Sequence, residues 1–156
     1  TLYEYFKDKE DLLASLIEEE LPVVLDKMVD DLPCGVPTVE RLEALIRALV
    51  EFVATDPTLG YLLHREVPKL SGESSARAAE AHMGLVHEYV DLLRTGVMEG
   101  SIMSLPADVL SALVQDAIMS GAKVLIGAPD PKERLGEVTD AVVAFILHGI
   151  ATPTEG

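Results

Sequence analysis

The sequence predicts an all-α fold, a helical bundle, on three observations. Apolar residues recur at three- and four-residue spacing along most of the chain, while the alternation that marks strands is nearly absent. Hydrophobic residues make up 49% of the chain but aromatics only 4%, so the interior is built of Leu, Val, Ile and Ala, which suits helix packing better than a β-sandwich. Prolines, glycines and capping carboxylates cut the chain into segments of helical length. Its 156 residues suffice for one domain with a substantial core.

The opening run TLYEYFKDKEDLL (Thr1 to Leu13) reads as the last turn of one helix, a tight link and the first turns of the next. Asp8 supplies an N-cap side chain, and Asp11 stands at the N3 position, where negative charge is favoured. Lys9 sits in the first turn against the helix dipole, a placement that an anion outside the protein would justify. The helix is predicted from Lys9 to about Asp31, bent or split by Pro22. Pro33 to Pro37 (PCGVP) is a loop. From Thr38 to Thr55, Val39, Leu42, Leu45, Ile46, Leu49 and Val53 share one face, with Glu40, Glu43, Arg47 and Glu51 outward. Asp56 and Pro57 start a short helix to about Glu66, and Pro68 to Ser74 reads as a polar loop. A long helix follows from about Ser75 to Glu99, closed by Gly100. Pro106 opens the next, which runs to about Ile126. After the linker Gly127 to Pro131, Asp130, Pro131 and Glu133 signal a last helix to about Ile150. The tail ATPTEG is expected to fray.

The pattern Thr-Leu-Tyr-x-Tyr-Phe-x-x-Lys-x-x-Leu-Leu, carried by Thr1, Leu2, Tyr3, Tyr5, Phe6, Lys9, Leu12 and Leu13, resembles the end of the DNA-binding unit in the tetracycline-repressor (TetR) family of bacterial transcription regulators. The helix lengths, the glycines Gly96 and Gly100 and the two apolar final helices resemble that family's regulatory domain. The resemblance implies a TetR-like bundle whose last two helices form a dimeric four-helix bundle. It divides the chain into a remnant of the recognition helix (1–7), a ligand-binding and dimerisation domain (8–152) and a frayed tail (153–156).

By the same resemblance Thr1, Tyr3, Tyr5 and Lys9 would approach DNA, Tyr3 at a phosphate or thymine methyl and the others at phosphates. Leu2 and Phe6 would pack inward. Glu4 departs from the pattern, being acidic where the family often has a neutral or basic residue. The chain opens inside the recognition helix and lacks the groove-facing residues before it. It is therefore expected to be the regulatory part of a longer regulator, a repressor by the resemblance, and not to bind operator DNA by itself.

Net charge is −15, from 12 basic and 27 acidic residues. Such a body repels phosphate and is no nucleic-acid surface. One cysteine, Cys34, cannot form an internal disulfide, which fits a reducing cytoplasm. The apolar run Ala141 to Leu147 is shorter than the roughly 20 residues a bilayer span takes, and no membrane role is expected.

Around the last two helices the apolar residues cover more than the stripe that one packed layer requires. Either both are central elements of a monomer core, or a second copy covers the excess. The homodimer is the expected answer. Ala117, Gly121 and Ala122 allow close approach, and Val138, Val142, Phe145, Ile146 and Gly149 offer the complementary face.

An effector pocket, which the family usually holds inside this bundle, is expected around the long fourth helix. Its stripe Ala78, His82, Leu85, Val86, Tyr89 and Leu93 places His82 and Tyr89 at apolar positions. They are pocket residues or core residues bonded to backbone. Phe52, Tyr61 and Met119 are further candidates, in an aliphatic pocket of modest volume. His64 stands between surface and pocket, His87 points to solvent, and Gln115 and Asp116 lie at the edges of their helix's apolar face. Effector binding would tilt the helix beginning at Lys9 and change the spacing of the two DNA-reading heads.

An enzyme is the first rival. His64, His82, His87 and His148 form no H-E-x-x-H or zinc spacing, and no G-x-S-x-G, phosphate loop or dinucleotide fingerprint is present. No enzymatic activity, cofactor or metal is expected. The second rival is a helical dimerisation module that takes no ligand.

Overall fold

In a computed structural model, residues 5–56 and 58–153 are described, Leu85 by its backbone alone. The order of elements is α1 (Lys9–Asp30), α2 (Thr38–Thr55), α3 (Leu59–Arg65), a 3-10 turn (Val67–Lys69), α4 (Gly72–Glu99), α5 (Ala107–Ile126) and α6 (Pro131–Ile150). The all-α expectation holds.

Each boundary has a local cause. The Asp8 carboxylate accepts from the Asp11 amide at 2.9 Å, and the Asp11 carboxylate accepts in return from the Lys7 amide at 2.9 Å. The first bond satisfies a free donor in the opening turn of α1, and the second ties the residue before the cap to that turn. The helix then runs unbroken through Pro22, so the expected split does not occur. One oxygen of Asp56 accepts from the amides of Thr58, Leu59 and Gly60, which starts α3. Gly60 is needed there, because a Cβ would lie 2.5 Å from the Phe52 carbonyl oxygen.

The fourth helix begins at Gly72, earlier than predicted, and the stretch read as a polar loop contains a 3-10 turn. The Ser71 amide and hydroxyl are held by the Glu10 carboxylate, so α4 takes its start from α1. Gly100 closes it at φ +79°, a left-handed conformation that glycine adopts without strain. The Asp130 side chain accepts from the Lys132 and Glu133 amides and caps α6.

The α1 helix lies along α4, and α2 is central, meeting α3, α4, α5 and α6. The core runs through Ile17, Leu21 and Leu25 of α1, Leu42, Leu45, Ile46, Leu49 and Val50 of α2, and Leu110, Val114, Ile118 and Leu125 of α5. By length and composition α5 could cross a bilayer, with mean hydropathy 1.5, a property that a search for the longest unbroken apolar run does not reveal. Its buried stripe packs on α2 and α6, as in a core helix.

The tail is less free than expected. Thr152 donates from its amide to the Ser101 carbonyl and from its hydroxyl to the Gly100 carbonyl, at 3.0 and 2.6 Å. These bonds pin the end of α6 to the α4–α5 turn. Residues 154–156 of the predicted tail lie outside the described residues.

Candidate functional site

A cavity of about 290 Å³ lies where α1, α2, α4 and α5 meet. Leu21 and Leu25 of α1, Leu49, Phe52 and Val53 of α2, Leu63 of α3 and Val67 form its apolar wall. On α4 it is lined by Ser75, Ala78, Ala79, His82 and Tyr89, and on α5 by Gln115, Ile118 and Met119. No formally charged side chain is among these.

The spacing of the polar members follows from the helix. Ser75, His82 and Tyr89 are seven residues apart, so they fall on one line of α4, each about 10 Å from the next. The small Ala78 and Ala79 between the first two leave room for the cavity. The Tyr89 hydroxyl donates to Gln115 Oε1 at 3.0 Å. Among the described residues neither the His82 ring nor the Gln115 amide nitrogen bonds another protein group. Burial holds the His82 imidazole below its ordinary 6.5, so the ring is neutral near pH 7. Burial, and then the negative charge of Asp116, raise the Tyr89 phenol.

The same turns of α4 that line the cavity are bolted to the start of α1. Arg77 donates to Asp11 Oδ1 at 2.5 Å, to both oxygens of Glu18 at 2.9 and 2.6 Å and to Ser15 Oγ at 2.8 Å. The amide of Lys7, and then Arg77, hold the Asp11 carboxyl below its ordinary range. Arg77 does the same for Glu18.

Of the expected pocket residues, Phe52, His82, Tyr89 and Met119 meet in this cavity. Val86 is half-buried against the core and is not part of the wall. Tyr61 is 49% exposed, with the Arg65 guanidinium 5.9 Å from its ring centroid, and shares a separate shallow depression with His64. It lies outside the pocket because residues two apart on a helix face roughly opposite sides, so α3 cannot turn both Leu63 and Tyr61 inward. The Leu85 side chain lies outside the described residues. Leu21, Leu25, Ser75 and Gln115 join the wall without having been among the expected pocket residues. The heptad spacing of Ser75 with His82 and Tyr89 was the available signal.

On the outer side of α5 and α6 runs a shallow groove lined by Leu113, Ala117, Val124, Val138, Val142 and Phe145, with Asp116, Arg134 and Glu137 among its polar members. Phe145 is 77% exposed and Leu113 61%. Of the residues expected at a dimer seam, Ala122 and Ile146 are buried in the chain's own core, which corrects their placement on a partner-facing surface. Gly121, Val138 and Val142 are buried between α5 and α6, where a Cβ on Gly121 would strike Val142. Ala117 is half-buried in the groove, and Gly149 is exposed.

Residues 35–122 match the family described as "Tetracyclin repressor-like, C-terminal domain". The chain belongs to that family.

Within it, the chain is 28% identical over 102 residues to the fatty acid metabolism regulator protein of Bacillus subtilis (strain 168), a stretch covering 65% of this chain and 53% of that protein. The chain thus spans about half the length of the curated relative it matches. Its fold is that of the transcriptional regulator FadR from Bacillus subtilis in complex with stearoyl-CoA, with a TM-score of 0.75, 22% identity and coverage of 92% of this chain and 79% of that one. It is also that of AibR in complex with isovaleryl coenzyme A and operator DNA, with a TM-score of 0.70, 18% identity and coverage of 92% and 77%. The ketosteroid regulator KstR2 of Mycobacterium tuberculosis gives a TM-score of 0.70 at 21% identity, covering 97% and 78%. For this tetracyclin repressor-like domain, Thr1 and Tyr3 lie outside the described residues, while Tyr5 is 80% exposed and Lys9 is exposed in the first turn of α1.

Proposed function

We propose that this chain is the effector-binding and self-association part of a ligand-responsive transcriptional regulator, with an effector that carries a short to medium acyl chain. The observation that carries the reading is the apolar cavity between α1, α2, α4 and α5, whose α4 wall shares its turns with the Arg77 clamp on α1. At about 290 Å³ the cavity stands at the low end of ligand-site volumes, roughly 300–1,000 Å³. The named ligands of FadR and AibR, stearoyl-CoA and isovaleryl coenzyme A, support an acyl group as occupant.

Filling the cavity displaces the first three turns of α4. Arg77 and the Glu10–Ser71 bonds carry that displacement to the first turns of α1, which lead into the DNA-binding unit. Two-state coupling of this kind changes operator affinity without direct contact between effector and DNA. Thr1, Tyr5 and Lys9 would contact phosphates in the intact protein, and Tyr3 a phosphate or a thymine methyl.

Two copies would associate through the outer groove of α5 and α6, with Phe145 and Leu113 as anchors in an isologous contact. The chain carries out no catalysis in this reading and works in the cytoplasm. The test is operator binding by the intact regulator as a medium-chain acyl-CoA is added. Affinity should change at least tenfold. Unchanged affinity with ligand bound contradicts the reading.

A further inference from the structure

The cavity wall combines aliphatic side chains with hydrogen-bonding groups that are all uncharged. Three features set what it can accept. Its polar members are Ser75, His82, Tyr89 and Gln115, with no Lys or Arg among the lining residues. Arg77, the cation closest in sequence to that wall, is not among the lining residues and is engaged by Asp11, Glu18 and Ser15 of α1. The Tyr89 hydroxyl spends its proton on Gln115 Oε1, which orients the amide and leaves its nitrogen free to donate. A ligand oxygen entering this space therefore meets donors from His82 and from the Gln115 amide, both neutral.

An ionised carboxylate would lose its hydration here without gaining a counter-charge, whereas a carbonyl or hydroxyl would find its hydrogen bond. We propose that the cavity recognises an uncharged oxygen function, the carbonyl of an ester or thioester or a hydroxyl, on a short aliphatic chain. His82 and the Tyr89–Gln115 pair are its specificity-determining residues, and the free carboxylic acid is rejected. This rests on the cavity being the effector site. The ionised part of any larger effector then stays outside the cavity, and only the neutral end of its chain is read within.

The experiment measures binding of four probes to the full chain at pH 7.5: methyl octanoate, 1-octanol, octanoate and 1-chlorooctane, the last an apolar match for octanol. Methyl octanoate and octanol should bind at least tenfold tighter than octanoate, and octanol several-fold tighter than chlorooctane. In His82→Phe and Gln115→Met the octanol preference over chlorooctane should vanish while chlorooctane affinity is retained, a pattern that general loosening of the core would not produce. Should one variant fail to fold, the other and the wild-type probe ranking still decide. If octanoate binds as tightly as its ester, or octanol no better than chlorooctane, the specificity proposal is wrong and the cavity remains an effector site. If none of the four binds, the effector-site reading falls and the proposal with it.

Discussion

The Tyr89 hydroxyl reaches across from α4 to donate to Gln115 Oε1 on α5, 3.0 Å away, with Tyr89 only 2% exposed. This side-chain bond ties together two walls of the cavity. Periodicity left Tyr89 as either a pocket residue or a core residue bonded to backbone; its partner is instead the side chain of another pocket residue. Tyr89→Phe should lower stability by about 0.5–1.5 kcal/mol, the usual worth of one such bond. Once Tyr89→Phe is in place, adding Gln115→Leu should change little beyond its own packing. A double-mutant cycle by urea unfolding checks the coupling.

Acid should act in two windows. Burial lowers the His82 pKa in the folded chain below its ordinary 6.5. The unfolded chain therefore takes up that proton first, and stability falls as pH drops from 6.5 toward the folded value. The lining residues of the cavity supply no charge to offset this, and Tyr89 is the other titratable group there. His82→Phe should flatten that portion of the curve, which melting temperatures between pH 7.5 and 5 will read.

The second window belongs to Asp11 and Glu18, whose carboxyls are held below their ordinary 3.8 and 4.5. Depressed folded values give stability that is present above those figures and lost as pH falls through the lower folded ones. Arg77→Met should remove much of this acid limb and leave the His82 window in place. Hydrogen exchange should also show the first turns of α1 opening more often in that variant.

Gly121 and Gly136 should respond oppositely to alanine. A Cβ on Gly121 meets the Val142 side chain, whereas one on Gly136 meets nothing within 4 Å. Gly121→Ala forces the Val142 side chain or the α5–α6 spacing to shift and should cost about 1–3 kcal/mol. Gly136→Ala, inside α6, should stabilise by roughly 0.5–1 kcal/mol through helix propensity. Thermal unfolding of the two variants checks both signs.

Phe145→Glu places a charge on the most exposed large apolar residue of the α5–α6 groove. Sedimentation velocity should give a dimer for the wild type and a monomer for this variant, with the helical circular dichroism unchanged. A monomeric wild type would remove the association reading.

Much of the fold was legible because its signals are local. Asp8, Asp130 and Gly100 act within a few residues of themselves, so the boundaries they set appear where predicted. The start of α4 is not legible in this way because its cause is distant: Glu10, 61 positions away in the chain, holds Ser71. Arg77 is hidden for the same reason, since its partners sit on another helix. In the cavity, the stripe of α4 foretold His82 and Tyr89. The opposing wall from α1 depended on how the two helices pack, which periodicity alone does not specify. Ala122 and Ile146 show the limit of a helical wheel: it counts apolar circumference but does not say which arc the chain buries itself.

Whether the cavity holds an acyl chain is decided by displacement of a fluorescent short acyl probe from the full chain, in the wild type and in Ala78→Trp. Ala78 is 3% exposed and lines the cavity, so the indole should occupy the space the acyl chain needs. Saturable binding of one probe per chain, abolished by Ala78→Trp in a protein that still folds as a helical bundle, is the predicted result. Binding that survives the substitution, or a wild type that binds no probe, would contradict it.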